Sequence, residues 1–412
     1  MNDRQILREL VRRYAQAAQE DCNAQRLALH KAVNDLHPIR PVVLINEIPW
    51  NELDFDGSLT LHCQDPYFRS VEQTLRRTLF QWKYFPADMT ITPFLPVQKV
   101  IHSTGIGVEI HEEIRATDET NHIVSHKYES QFTTEEDLEK LHEPVITYDQ
   151  EATWNTFVKL SEAVGDLIPV QIVGEATGYD LGCKNWDFIA NFMTVDDLLY
   201  GMIDEPEFMH KLVGKLTDIF LSTVRQYEEL NLIDPFPQYL HCTGASSDDL
   251  KKEPLDMEHV RAKNVWGRGL AQILSTVSPE MHDEFDITYM KRAMEPFGLV
   301  YYGCCEPLDR KIDILRQLPN LRKISISPWA DAARSAQAIG RDYVASVKPN
   351  PANVAAGRLD KAVIQQELSG ILTACRTHET PCELVLKDIS TASHRLENLI
   401  EWEQIAMRLV QE

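Results

Sequence analysis

Two kinds of hydrophobic spacing divide this chain. Up to about residue 36, apolar residues recur at helical intervals, as Ile6, Leu7, Leu10, Val11 and Tyr14 and then as Leu27, Leu29 and Val33, before His37-Pro38 ends the run. The spacing predicts N-terminal helices over 1–40 that close one end of a core. From Val42 onward, short apolar runs bounded by Pro, Gly, Asn or Asp alternate with longer amphipathic segments, which is the pattern of βα units. The predicted strands are VVLINEI (42–48), PVITY (144–148), PVQIVGEA (169–176), QYLHCTG (238–244), LVYYGCC (299–305), KISISP (323–328), YVASVKP (343–349) and CELVLKD (382–388). Helices are expected over 195–230, 309–317, 332–340, 361–376 and 394–410, with Asp309, Asp331 and Asp360 as caps near their starts. Eight strands alternating with helices predict an α/β fold, a (β/α)8 TIM barrel.

Between the first two predicted strands lies an insertion of roughly ninety residues (52–142), far longer than ordinary βα loops. Its stretch VQKVIHSTGIGVEIHEEI alternates like strands around Gly105 and Gly107, and Asn121 to Tyr128 continues the theme. This reads as a β-rich flap over the barrel mouth, or else as a decorative or dimer-contacting insertion. No repeat, low-complexity tract or linker divides the chain, so residues 1–412 are expected to form a single domain.

Composition narrows the function classes. Acidic residues number 63 against 41 basic, a net charge of −22, and no basic stripe interrupts them, so nucleic acid is not an expected partner. The N-terminus carries no basic-then-apolar signal, and no window approaches the ~18 apolar residues that span a bilayer. A cytoplasmic protein without membrane contact is expected, its eight cysteines reduced. A phosphate-binding P-loop, a nucleophile elbow, an H-E-x-x-H pair and a dinucleotide fingerprint are all missing, and Gly105-Ile106-Gly107 sits inside a strand-like run with no helix behind it.

In a parallel barrel the chemistry gathers at the C-terminal strand ends, because that face is built from the βα loops. Those ends carry Asn46 and Glu47, Glu175, His241 and Cys242, Cys304, Cys305 and Glu306, Trp329 and Asp331, Lys348 and Asn350, and Lys387, Asp388 and His394. His241, Cys304, Cys305 and Glu306 supply the imidazole, thiolate and carboxylate donors that Zn2+ takes, so they are candidate metal ligands; otherwise the cysteines are small core residues and His241 a hydrogen-bonded one. Neighbouring strand residues point to opposite faces, so only one of Cys304 and Cys305 faces inward unless the strand has already ended. Glu175 is a candidate general acid/base or ligand, or the partner of Lys348 in a salt bridge. Lys348-Pro349-Asn350-Pro351 is rigid, which either holds Lys348 and Asn350 against a substrate carboxylate or oxyanion or simply ends a strand. Trp329 with Tyr301 and Tyr302 forms either an aromatic wall for a planar or methylated ligand or plain packing. His282 and His394 are expected on helix surfaces.

The blocks VSPEMHDEF (277–285), FGLVYYGCCEPL (297–308), NLRKISISPWAD (320–331), YVASVKPNPA (343–352) and ELVLKDIST (383–391) resemble the uroporphyrinogen decarboxylase superfamily. Within it they are similar to the corrinoid (cobalamin-dependent) methyltransferases linked to chloromethane use. That resemblance implies a (β/α)8 barrel, a Zn2+ that activates a thiol or other methyl acceptor, and a corrinoid on a partner protein docked over the mouth. The small-molecule partner it implies is a methylated substrate or a thiol acceptor, and by analogy the chain is expected to form a homodimer. A metal would then sit on His241, one cysteine of the Cys304/Cys305 pair and Glu306, with Glu175 as fourth ligand or base, Lys348 beside it, and Tyr302, Trp329, Asn350 and Asp388 around the substrate. Two departures stand out. Where those relatives carry a His-x-Cys pair and a later Cys, this chain reads Gly303-Cys304-Cys305-Glu306 and Lys348-Pro349-Asn350-Pro351. Asn46-Glu47-Ile48-Pro49-Trp50 replaces the arginine-rich segment of true decarboxylases, so a tetracarboxylate substrate would meet an acidic residue. A lyase or decarboxylase of a small carboxylate, using Lys348 and Glu175, and a non-catalytic corrinoid-binding barrel are the alternatives.

Overall fold

A computed structural model of the chain describes residues 2–115, 125–176, 181–251 and 256–412. In chain order its strands are β1 (Val42–Ile45), β2 (Leu95–Gln98), β3 (Val100–Ser103), β4 (Glu112–Arg115), β5 (Ser125–Tyr128), β6 (Ile146–Asp149) and β7 (Val170–Val173). They continue with β8 (Tyr239–Leu240), β9 (Thr243–Gly244), β10 (Trp266–Gly269), β11 (Leu299–Tyr302), β12 (Leu321–Ile326), β13 (Val344–Val347) and β14 (Cys382–Leu386). Six of them form one parallel sheet in the order β1-β14-β13-β12-β11-β10, and β2 and β7 form a separate parallel pair. Among the described residues the ladder does not close on itself.

The sheet is built as a two-sided core. Val43, Ile45, Val300, Tyr302, Ile324, Ile326, Ala345, Val347, Leu384 and Leu386 project from one face into the main hydrophobic cluster, which the surrounding helices complete. Because side chains alternate along a strand, Arg268, Lys323, Ser325, Ser346, Lys348, Glu383 and Lys387 project from the other face, and all of them are buried. Buried charge is tolerated only when paired. Lys323 Nζ accordingly lies 3.3 Å from both Glu383 oxygens and donates to Thr243 at 2.7 Å, while Ser346 also donates to Glu383. That face therefore mixes these buried polar groups with Val42, Leu44, Leu299, Tyr301, Val344 and Val385, and its upper layer becomes the candidate site.

The N-terminal helices form as the spacing predicts. Asp3–Ala18 begins at an Asn2/Gln5 capping box and buries Ile6, Leu7, Leu10, Val11 and Tyr14 against the helices Pro66–Tyr84 and Gln150–Val164. Asp331 and Asp360 cap Ala332–Ile339 and Lys361–Thr377 as expected. Asp309 does not cap; it pairs with Arg334 at 2.6 Å. The expected helix over 195–230 is two, Val195–Asp204 and Pro206–Glu229, because Pro206 lacks the N–H that would continue the first.

Four strand assignments change. The run at 144–148 is no member of the parallel sheet: β6 pairs antiparallel with β3, and Val145 is exposed. The run at 238–244 is a tight antiparallel hairpin, β8 with β9, turning at His241 and Cys242. Conversely, β2 and β10 were not expected. The region 52–142 is also less β-rich than its pattern suggests, since Pro66–Tyr84 is a 19-residue helix capped by Asp65. The β4–β5 hairpin does form, although 121–124 lie outside the described residues. No helix among the described residues is long and apolar enough to cross a membrane.

Candidate functional site

Three strand ends and one hairpin turn bring titratable groups together above the sheet's polar face. Glu47 follows β1, Lys387 and Asp388 follow β14, Cys304 and Cys305 follow β11, and His241 sits in the turn between β8 and β9. Glu47, His241 and Asp388 all adopt left-handed backbone, with φ of 52°, 59° and 55°. A non-glycine residue in that region costs on the order of 1–3 kcal/mol, so three gathered around Glu47 mark a place where geometry outweighs backbone comfort.

The contacts form a ring. The Asp388 N–H donates to Glu47 Oε2 at 2.9 Å. Lys387 Nζ lies 3.1 Å from Asp388 Oδ2, 3.7 Å from Glu47 Oε2 and 4.0 Å from Cys304 Sγ. Cys304 and Cys305 have their sulfurs 3.7 Å apart, and Cys305 Sγ is 3.7 Å from Asp388 Oδ2. His241 Nε2 stands 3.8 Å from Glu47 Oε1.

These contacts set the protonation states. The Cys304 thiol falls to about 6, chiefly because Cys305 donates a hydrogen bond to its sulfur; burial opposes this, and the Lys387 and Arg268 charges assist. Cys305, the donor, is pushed up by the same bond and by burial. Glu47 rises to about 7 through burial and its hydrogen bond with Asp388, against the pull of Lys387. Burial alone would raise Asp388 too, but the bond from Glu47 and the Lys387 ammonium hold it below the usual carboxylate range. Burial drives His241 down to about 3, helped by Arg268, Lys387 and Lys348, so its ring is neutral. Beside this ring, Asp187 is lifted to about 7 by burial and then by the Glu306 charge.

Behind the thiols lies a buried support. Glu306 is fully buried and spends both oxygens on backbone: Oε2 accepts from Cys304 N at 2.8 Å and Oε1 from Ala271 N at 3.3 Å. His282, expected on a helix surface, is instead fully buried, at the end of a helix turn that continues into the π-turn Asp283–Ile287. Lys311 donates to its Nδ1 at 3.1 Å, leaving Nε2–H to donate to Tyr302 Oη at 2.7 Å, and Tyr302 in turn donates to Asp286 at 2.6 Å. His394 is exposed in a turn just before the last helix, not on it.

Of the residues singled out from the sequence, the structure brings His241, Cys304, Cys305 and Asp388 into one cluster, with Glu306 directly behind. It places Tyr302 in the core, out of reach of a substrate. Lys348 is buried one layer lower, its ammonium donating to Tyr301 Oη at 3.0 Å, Ser346 O at 2.8 Å and Ser346 Oγ at 2.7 Å, which accounts for all three of its protons. Asn350 caps the turn Pro351–Asn353, and Trp329 is 73% exposed on the loop after β12. Glu175 is half-buried after β7, bridged through its backbone to Ile233. Glu47 and Lys387 stand at predicted strand ends but were assigned no catalytic part; Arg268 and Asp187 carried no signal of position, since β10 was not expected.

A catalytic zinc takes three protein ligands and a structural one four. Among the described residues no three His, Cys, Asp or Glu side chains are arranged around one ion, and the Glu306 carboxylate is committed to two backbone N–H groups. The donor set implied by the resemblance therefore does not fit a zinc centre.

No protein-family model matches this chain, and no curated protein matches it. Among solved structures it is similar to a methyltransferase from Methanosarcina mazei at 11% identity and a TM-score of 0.49, over 92% of this chain and 97% of that one.

Proposed function

We propose that this chain is a methyltransferase of the corrinoid-linked type, moving a methyl group between a small substrate or thiol acceptor and a corrinoid protein docked over the strand ends. The sequence blocks from 277 to 391 support it, and six parallel strands in one sheet with two more in a separate pair suit a (β/α)8 scaffold. The observation that carries the reading is the meeting of an acidified thiol, a carboxyl poised near neutrality and a buried ammonium at one set of strand ends.

The chemistry needs such a set. Demethylating an oxygen or nitrogen leaves a heteroatom that requires a proton, whereas methylating a thiol releases one. Glu47, at about 7, serves either direction at neutral pH. Lys387 fixes Asp388 and balances the negative charge on Cys304. Neutral His241 offers a ring hydrogen bond without adding charge. The corrinoid, when docked, supplies the centre that gives or takes the methyl carbon. The zinc-assisted version of this chemistry lacks a third ligand among the described residues, and a decarboxylase using Lys348 as its clamp would have to draw on an ammonium already committed to Tyr301 and Ser346.

The test is methyl transfer from methylcobalamin to a panel of thiol acceptors and, separately, from methoxy or methylamine donors to pre-reduced cob(I)alamin, followed by the cobalamin visible spectrum. Wild type turns over at least one class, and Glu47→Gln and Cys304→Ala each fall by at least ~100-fold, the scale of losing a general acid or an activated group. Turnover unchanged in both variants overturns the reading.

A further inference from the structure

The vicinal cysteines have a geometry that methyl transfer does not call for. Adjacent strand residues normally point apart, but β11 ends at Tyr302, and Gly303 turns the chain with a φ of 100°. A φ of 100° is one that glycine adopts without strain, and a Cβ there would also press on Leu308 Cδ1 at 2.6 Å and Ser325 Cβ at 3.0 Å. The turn brings both thiols to one side, 3.7 Å apart. The Cys304 peptide is clamped at both ends: Glu306 holds its N–H at 2.8 Å, and Ser325 Oγ donates to its carbonyl at 2.7 Å. Cys305 is partly exposed and leaves the pair an approach from solvent.

This is a chelate of two sulfurs with no third side-chain ligand among the described residues. It suits a centre that bonds two thiols and brings its own third substituent. We propose that Cys304 and Cys305 form a dithiol clamp for monosubstituted trivalent arsenicals, R–As(OH)2; the proposal is independent of the methyl-transfer reading. Cys304 sulfur displaces one hydroxyl and Cys305 sulfur the second. The two As–O bonds break and two As–S bonds form; a solvent proton, in place of the one Cys304 has already lost, and the Cys305 proton leave with the hydroxyls as two waters, with arsenic trivalent throughout. Asp388, 3.7 Å from Cys305 Sγ, is placed to take up the Cys305 proton and pass it on. The buried free thiols Cys375, on the helix Lys361–Thr377, and Cys382, where β14 begins, provide an internal control.

Phenylarsine oxide, which hydrates to this form, is the probe. Titrated into the full-length protein and followed by intact mass and peptide mapping, it gives one adduct per chain, bridged across the peptide holding Cys304 and Cys305 and reversed by a competing dithiol. Affinity falls at least 100-fold in Cys304→Ser and in Cys305→Ser and is unchanged in Cys375→Ser. An adduct that survives either single change at the 304/305 pair, one mapped to other cysteines, or no adduct at all overturns the proposal. The wild-type map decides the matter even if a variant fails to fold.

Discussion

Replacing Cys305 with alanine isolates what acidifies Cys304. The hydrogen bond from Cys305 is the largest influence holding Cys304 at about 6, and alanine removes the donor while leaving Lys387 and Arg268 in place. Without it, burial is opposed only by those two charges, and the thiol returns to the ordinary value of ~8.5 or above. The thiolate fraction at pH 5.5 then falls from ~0.24 to ~0.001, a loss of ~240-fold. A more basic thiolate is intrinsically more nucleophilic, by ~13-fold over such a shift with a Brønsted slope near 0.45. The net change is thus ~20-fold slower alkylation at pH 5.5 but ~10-fold faster at pH 9, and the two curves cross between about pH 7 and 8. Iodoacetamide alkylation quantified on the Cys304 peptide from pH 5 to 10 measures both inflections. A wild-type inflection near 8.5, or a variant whose inflection stays near 6, refutes the reasoning.

Glu47 gives a stability signature of opposite kind. Its folded value is raised, so its ionisation destabilises the fold increasingly as pH climbs from the unfolded value of about 4.3 through about 7, and Glu47→Gln removes that penalty. Glu47→Gln is therefore more stable than wild type by ~1 kcal/mol at pH 8, after discounting for partial exposure, and no more stable at pH 4; equal melting shifts at both pH values would sink this assignment. Glu306→Ala strands the N–H groups of Cys304 and Ala271 and costs ~2–4 kcal/mol in urea unfolding, whereas a loss under ~1 kcal/mol would mean that those groups are otherwise satisfied. Elemental analysis of purified protein should find well under one zinc per chain; one equivalent of zinc that disappears in Cys304→Ala would show that the ring rearranges to bind it.

The strands that were legible are those with nothing but packing to do. β1, β11, β13 and β14 are buried from end to end; β1 and β11 are uninterrupted aliphatic and aromatic runs, and β13 and β14 are broken only by Ser346 and Glu383, as expected of strands with cover on both faces. β10 reads Trp-Gly-Arg-Gly, and its glycines leave room for neighbours: a Cβ at Gly267 would sit 2.6 Å from the Phe297 ring and one at Gly269 2.4 Å from the Met290 sulfur. Close approach of neighbouring side chains has replaced the hydrophobic signal there with small residues, which sequence patterns read as a turn. β2 is hidden for another reason, since Pro96 lies within it and proline argues against a sheet interior. In the other direction, 144–148 imitated a core strand because Val145 is apolar, although it faces solvent.

The site was legible in position and not in partnership, and physics explains the difference. That reactive groups gather at C-terminal strand ends follows from the parallel architecture, so His241, Cys304, Cys305 and Asp388 could be collected from the sequence alone. Which of them touch depends on backbone angles that composition does not encode: left-handed Glu47, His241 and Asp388 turn their side chains into one ring, and Gly303 puts two consecutive thiols on the same side. Lys348 and Lys387 illustrate the point. Each is a strand-end lysine projecting from the same face, yet Lys348 ends against Ser346 and Tyr301 one layer down, where burial lowers its pKa. Lys387 reaches the ring, where the Cys242 and Cys304 thiols and the Glu47 and Asp388 carboxylates overcome burial and raise it. The cation available to a substrate or to a developing thiolate is thus chosen by register within the sheet, and only Lys387 stands at the level where the carboxyl and thiol groups meet.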